Sequence, residues 1–493
     1  MKSLKKTLAM VACVAMAGSV MTACGGNTAT DTASTTAAAG GDAAETTAAA
    51  EGGDAAAETE APADDAAAET EAPAASDAST DKLTVLCWNT DDINPMITTF
   101  CAVTGHSADE FNVNSFGCGG GDAAENYDAY LSDTSNDADI MFVEADWALK
   151  YINDNSAETG TKPLADLGVT SDYSDLYGYT VEIGKSTVDG AQKGLSWQAA
   201  AGGFCYREDL AEKYLGVTDP DSFQALVSDW NGFMDTAAKV KEASGGTTAL
   251  TSTLGGVWQV FSAGRSTPWV VDNKLTLDDT AKDYIAKAKT MYDEGYVVKD
   301  LAQWSTDWYS AGQTDQTMGY FVSTWGFGDA ILTQAAGGEG GATYGKWKVV
   351  VGPQAFFWGG TWMTAANRNN NPDLTKEFIE FFTTNTDGAK QYALDKGEYV
   401  SNKAAMEQVL NSSDYEGLGV LGGQNHFQVL NVVADQINMS GAITPYDSTV
   451  KTAFNDAVTH YCQGNTADEA ACIDEFVDTV ASSLPDLDYS NFD

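Results

Sequence analysis

Leu83-Thr84-Val85-Leu86-Cys87-Trp88 is a short, almost continuous apolar run, and its length predicts a strand buried on both faces. Asp139-Ile140-Met141-Phe142-Val143 reads the same way, with a helical pattern starting behind it at Trp147-Ala148-Leu149. Lys348-Val349-Val350-Val351 is a third strand, closed by Gly352-Pro353. Helical spacing alternates with these runs. Leu210 to Leu215 predicts one short helical turn. Asp219-Pro220-Asp221 predicts a capped helix start, with Phe223, Leu226 and Trp230 on one face. Asn371-Pro372-Asp373 opens a helix carrying Leu374, Phe378, Ile379 and Phe382. Near the C-terminus, Ile473, Phe476, Val477 and Val480 follow the i, i+3, i+4, i+7 rule. Strands interleaved with helices predict an α/β fold.

The N-terminal part has neither pattern. Lys2, Lys5 and Lys6 precede an apolar stretch from Leu8 to Val20, too short to span a bilayer comfortably. Met21-Thr22-Ala23-Cys24 then resembles a bacterial lipobox, with Met21 where Leu is usual. Residues 1–23 are therefore expected to be a lipoprotein signal peptide, and Cys24 to carry the lipid anchor. Residues 25–80 are Ala, Thr and Gly with twelve acidic residues and no basic one. The nonapeptide Ala55–Ala63 recurs at Ala66–Ala74. Such a segment cannot bury enough apolar surface to offset its ordering entropy, so 24–80 is expected to be a lipidated, disordered acidic linker.

Composition narrows the function classes. The formal net charge is −45, and the part beyond residue 80 holds 59 acids against 23 bases. That argues against nucleic acid as a partner, which needs a Lys/Arg-rich face. It favours a soluble, monomeric body held to the membrane by lipid alone. With only three His (His106, His426, His460), a His-rich zinc site is not expected, and no EF-hand loop is present. No cofactor or metal is expected. Gly117-Cys118-Gly119-Gly120-Gly121-Asp122 lacks the Lys-Ser/Thr of a P-loop and is expected to be a flexible loop. Cys87, Cys101, Cys118, Cys205, Cys462 and Cys472 remain after the signal and the anchor. Cys462 with Cys472 is the first candidate disulfide; free buried thiols are the alternative.

Four stretches carry a family resemblance. Phe204-Cys205-Tyr206-Arg207-Glu208-Asp209-Leu210-Ala211-Glu212-Lys213-Tyr214-Leu215-Gly216 resembles the "YRxDLAexxLG" segment of extracellular solute-binding proteins (family 1) of carbohydrate ABC transporters. Trp358-Gly359-Gly360-Thr361-Trp362 before Asn371-Pro372-Asp373 resembles their "GGTW…NP" region. Gly397-Glu398-Tyr399-Val400-Ser401-Asn402-Lys403 resembles their "xxPSNK" segment, and Leu421-Gly422-Gly423-Gln424-Asn425 a motif of a Clostridia-type subgroup. The resemblance implies a two-lobed, maltose-binding-protein-like periplasmic-binding-protein fold, with hinge crossovers and a ligand cleft between the lobes. It implies lobe one at 82–199 and 354–405, and lobe two at 200–353 and 406–493. It further implies a sugar ligand, an oligosaccharide by the abundance of Trp, and ABC permease subunits as partners. The expected location is the extracellular face of the cytoplasmic membrane of a Gram-positive bacterium.

Sugars present weakly apolar C–H faces and many hydroxyls, so a sugar cleft needs aromatic rings beside short polar chains. In open α/β sheets these gather at the carboxyl ends of strands. Trp88, Asn89 and Asp91 follow the first strand, and Glu144, Asp146 and Trp147 follow the second. Trp197 and Gln198 precede the expected hinge, while Arg265 and Trp269 flank Pro268. Trp325 matches in position a cleft tryptophan of the family. Trp358 and Trp362 bracket Gly359-Gly360, with Gly360 free to let backbone approach a ligand. Gln424 and Asn425 can each donate and accept. Trp304 and Trp308, four apart, are expected in the core. No chemistry on the sugar is expected. The competing readings are a surface glycoside hydrolase and a glycan-capture lipoprotein without a permease.

Overall fold

The computed structural model describes residues 82–117, 120–438 and 442–492. The expected signal peptide, the linker, Cys24 and Cys118 lie outside them. Twelve strands are formed among the described residues: β1 (Leu83–Cys87), β2 (Phe111–Ser115), β3 (Ile140–Glu144), β4 (Thr161–Lys162), β5 (Gly194–Ser196), β6 (Ala201–Arg207), β7 (Val270–Val271), β8 (Lys274–Leu275), β9 (Gly319–Ser323), β10 (Trp347–Val350), β11 (Phe356–Phe357) and β12 (Thr361–Ala366). The three apolar runs legible in the sequence are β1, β3 and β10.

Two sheets organise the chain. The first has the order β2-β1-β3-β12-β4, with β5 also on β12. β1 runs parallel to β2 and β3, and β12 runs antiparallel to β3. β1 is buried along its whole length, as a parallel strand with covered faces must be. The second sheet centres on β6, which pairs antiparallel with β9, β10 and β11. β7 and β8 form a separate two-stranded ribbon.

Each sheet has its own helical layer. Helices Thr90–Thr104, Pro372–Phe382 and Lys403–Leu410 pack on helix Thr386–Lys396 beside the first sheet. Helix Leu254–Ala263 lies on β9 and β11, and Asp279–Glu294, Asp447–Gln463 and Glu469–Ser483 stack outward from it. The result is two lobes of α/β structure. The chain crosses between them at 197–200 (β5 to β6), at 358–360 (β11 to β12) and at 411–426.

Asp139 shows how sequence sets the frame. It is buried, and its carboxylate accepts from Thr84 N (2.8 Å), Asn370 N (2.6 Å) and Asn371 N (3.0 Å). One side chain thereby ties β1 to the start of helix Pro372–Phe382. The family-like motifs are also structural. Arg207 forks onto Asp209 (2.7 and 2.9 Å) and donates to Gly312 O and Thr314 O, pinning the end of β6. Asn402 caps its helix through Ala405 N (2.9 Å) and donates to Thr383 O.

Four local expectations change. Trp230 does not extend the helix begun at Pro220. That helix is Pro220–Leu226, and Asp229 caps a second, Trp230–Ser244, by accepting from Gly232 N. Leu210–Leu215 is part of a longer helix, Glu208–Leu215. The glycine-rich stretch is not all loop, because helix Gly120–Ser132 begins inside it. Cys87, Cys101, Cys205, Cys462 and Cys472 are free thiols, so the Cys462–Cys472 pairing is not formed. Both face the seam between the last two long helices, where burial pushes each thiol up to about 12.

Candidate functional site

The carboxyl ends of β1, β3 and β5 meet the crossing segments at one place between the sheets. Trp88 leaves β1 half-buried against the core. Asn89 caps the following helix, accepting from Asp91 N at 2.9 Å, and so is occupied locally. Asp91 is exposed, while Asp92, one residue on, is half-buried and pushed up to about 6 chiefly by burial.

Behind β3, Glu144 accepts from Asp146 N (2.8 Å). Burial, then the neighbouring Asp146, raise the Glu144 carboxyl well above its ordinary range. Asp146 accepts from Lys451 Nζ at 2.6 Å. Asp146 belongs to the first lobe and Lys451, on helix Asp447–Gln463, to the second, so this ion pair spans the cleft. Lys451 also faces Asp447 and Glu144. Arg265 is buried nearby, its guanidinium 4.1 Å from the Trp269 ring centre. It donates through Nη2 to Ala442 O, and its Nε and Nη1 have no partner. Burial lowers its pKa, against Asp447, Asp278 and Asp146.

The aromatic wall comes from the second lobe and a crossing segment. Trp325 follows β9 and donates Nε1–H to Trp358 O at 3.0 Å. The two rings meet edge to face with centres 5.0 Å apart. Trp304 lies 6.0 Å from both and is nearly parallel to Trp325 (26°). Its backbone has a φ of 72°, and its side chain is 50% exposed. The core helix position expected for Trp304 is therefore not adopted; only Trp308, inside helix Thr306–Gln313, is core. Gly359 and Gly360 have φ of 66° and 96°, and a Cβ on Gly360 would stand 3.0 Å from Ala200 Cβ. Only glycine fits there, and the turn it makes brings Trp358 beside Trp325.

The floor is the third part. Gln198 is buried and accepts from Thr361 N (3.1 Å) through Oε1. The segment after Gly397 runs along it, with Ala199 N on Tyr399 O and Ser401 N on Trp197 O. This places Glu398 inside, 5% exposed, with Oε1 unpartnered. Burial pushes its carboxyl up to about 8; Thr324 and Gln198 oppose the rise and Asp92 adds to it.

Several aromatic candidates serve packing instead. Trp147 is buried edge-on to Tyr127, and Trp197 lies under the floor against Phe142. Trp269 sits among Trp258, Phe454 and Phe476 in the second lobe's core. Trp362 is fully buried and donates to Thr180 O at 2.7 Å. Gln424 extends the edge of β10, bonding Val349 N (2.8 Å) and Val349 O (2.9 Å), and Asn425 accepts from Phe427 N. The site instead includes Trp304, Thr324, Glu398 and Lys451, which the sequence reading left out. The only sequence signal for Glu398 was its place in the "xxPSNK"-like segment, directly before the apolar pair Tyr399-Val400.

Comparison with known proteins agrees with this architecture. The family model described as bacterial extracellular solute-binding protein matches residues 96–417. No curated protein matches the chain. Among solved structures, an extracellular solute-binding protein of family 1 superposes with a TM-score of 0.68 at 18% identity, covering 81% of this chain and 99% of its own. The ABC transporter-associated binding protein of B. animalis subsp. lactis Bl-04, in complex with β-1,6-galactobiose, gives 0.62 at 18% identity, covering 82% and 97%. The galacto-N-biose/lacto-N-biose I-binding protein of a Bifidobacterium longum ABC transporter gives 0.60 at 16%, covering 85% and 99%. With the family model spanning more than half of its length, the chain belongs to the bacterial extracellular solute-binding proteins.

Proposed function

We propose that the protein is the sugar-capturing subunit of an ABC importer, that its ligand is an oligosaccharide, and that it is tethered outside the cytoplasmic membrane by lipid on Cys24. The observation that carries the reading is the Trp304–Trp325–Trp358 wall beside a polar floor between two hinged lobes. Rings bind the C–H faces of a sugar, and Asp92, Gln198, Glu398 and Asp146 offer donors and acceptors to its hydroxyls. Hinge closure then excludes water and presents a composite surface of both lobes to the permease. Family membership supports the solute-binding role, and the sugar complexes of two structural neighbours support the ligand class. The acidic, low-complexity composition of residues 25–80 supports a spacer between the anchor and the body.

The test is a thermal-shift screen of the purified protein against malto-, cello-, xylo-, manno- and galacto-oligosaccharides. A ligand at 100 times its Kd stabilises the folded state by about 2.7 kcal/mol. A shift with one glycan class, with the glycan recovered intact, is expected. Turnover of the glycan would move the protein to the glycoside hydrolases. No shift with any glycan would refute the sugar reading.

A further inference from the structure

Glu398 and Thr324 come from opposite sides of the cleft. Glu398 lies on the segment paired with residues 197–199, and Thr324 immediately precedes Trp325. Both are more than nine-tenths buried, at 5% and 3% exposure. Glu398 Oε1 and Thr324 Oγ1 are each buried without a hydrogen-bond partner of good geometry, and the Thr324 hydroxyl lies close enough to act on the Glu398 carboxyl. Leaving a buried polar atom unpaired is costly, so two in one recess, beside an aromatic wall, mark a place built for a ligand group.

Charge says which group. At the other end of the cleft, Asp146 is matched by Lys451, and Asp447 faces Arg265. At this end, Glu398 and Asp92 form no ion pair among the described residues, and Asp92 raises the carboxyl of Glu398. Lys396 is the one cation acting on both, and it is exposed and turned toward Asp91 O (3.3 Å). Tyr392 and Tyr415 are the other titratable groups facing Glu398, and neither carries positive charge. No cation is therefore paired with the carboxyls of the recess, which is rich in acceptors. A neutral hydroxyl has one hydrogen to donate, whereas an ammonium has three and brings the missing charge.

We propose that the recess formed by Glu398, Asp92 and Thr324 takes a basic nitrogen, so that the ligand is an aminated, cationic sugar stacked on the tryptophan wall. This rests on the sugar-binding reading and sharpens it. The rings adjoining the recess add cation–π attraction to the same charge.

The experiment is calorimetric titration of the full-length protein with paired probes: glucosamine and galactosamine, their oligomers of two to four units, and the N-acetylated and neutral hexose counterparts. Aminated probes are expected to bind at least tenfold more tightly than their neutral partners. Their affinity is expected to rise from pH 5 toward 8 as Asp92, at about 6, and then Glu398, at about 8, ionise, and to fall at higher pH as the amine loses its proton. Glu398→Gln keeps the size and removes the charge. It is expected to cost the aminated probes tenfold or more and to remove the upper part of the rise with pH, between about 7 and 8. Thr324→Val, a second variant that leaves both carboxylates in place, is expected to cost severalfold. Tighter binding of neutral glycans, or aminated binding unchanged in Glu398→Gln, overturns the proposal and leaves the sugar reading standing. Binding of no probe of either kind overturns both.

Discussion

Lys451→Met tests whether the two lobes are held together by charge as well as by hinge packing. The Lys451–Asp146 pair is 2.6 Å long, and its side chains are 19% and 41% exposed. Fully exposed pairs contribute about 0.2–1 kcal/mol, and the half-exposed Asp146 keeps this pair near the top of that range. About 1 kcal/mol corresponds to a roughly fivefold change in the ratio of closed to open molecules. Lys451 also faces Asp447 and Glu144, so its removal leaves three carboxyl groups with less to hold them. Asp146→Asn removes one partner only and leaves Lys451 the other two. The expected order of opening is therefore Lys451→Met, then Asp146→Asn, then the unaltered protein. The assay is the interlobe distance of ligand-free protein, read by energy transfer between dyes on exposed Val188 and Val271. Raising salt from 0.1 M to 1 M shortens the Debye length from about 10 to about 3 Å and should open the unaltered protein, while Lys451→Met responds little. Identical distance distributions for all three proteins at both salt concentrations would refute the argument.

Trp304→Ala should weaken glycan binding by about tenfold while changing stability by no more than about 0.5 kcal/mol, because the ring is half exposed; calorimetry and thermal melting together check it. Gly360→Ala forces a side chain onto a φ of 96° and against Ala200, and should cost about 1–3 kcal/mol in denaturant unfolding. Asp139→Ala leaves three backbone N–H groups without their carboxylate and should cost about 3 kcal/mol or more by the same measure. Burial holds His426 down at about 3 against an ordinary 6.5. The unfolded chain then binds the extra proton between those values, so the stability contributed by the neutral ring is complete above pH 6.5 and is lost as pH falls toward 3. His426→Gln should flatten the stability profile in that window. Glu398 has the opposite sign. Its raised carboxyl costs stability as pH climbs from 4.5 to about 8, so Glu398→Gln should raise the melting temperature more at pH 8 than at pH 5.

The sequence by itself determined the elements that depend on neighbours in the chain. The apolar runs at 83–88, 139–143 and 348–351 became β1, β3 and β10, and the periodic stretches after Pro372 and around Phe476 became helices. Strand or helix follows there from local period, and α/β from their alternation. Burial at the site was decided only in three dimensions. Trp197, Trp269 and Trp362 look no different in sequence from the half-buried Trp325, yet each is enclosed by layers that come from far along the chain. Trp304 is exposed because its backbone turns left-handed just before helix Thr306–Gln313, which breaks the helical spacing with Trp308. Glu398 meets Asp92 and Thr324, and Asp146 meets Lys451, across separations of 306, 74 and 305 residues. Local periodicity reports which face of an element is apolar. It carries no information about which distant element covers that face, and a binding cleft is the set of places left uncovered.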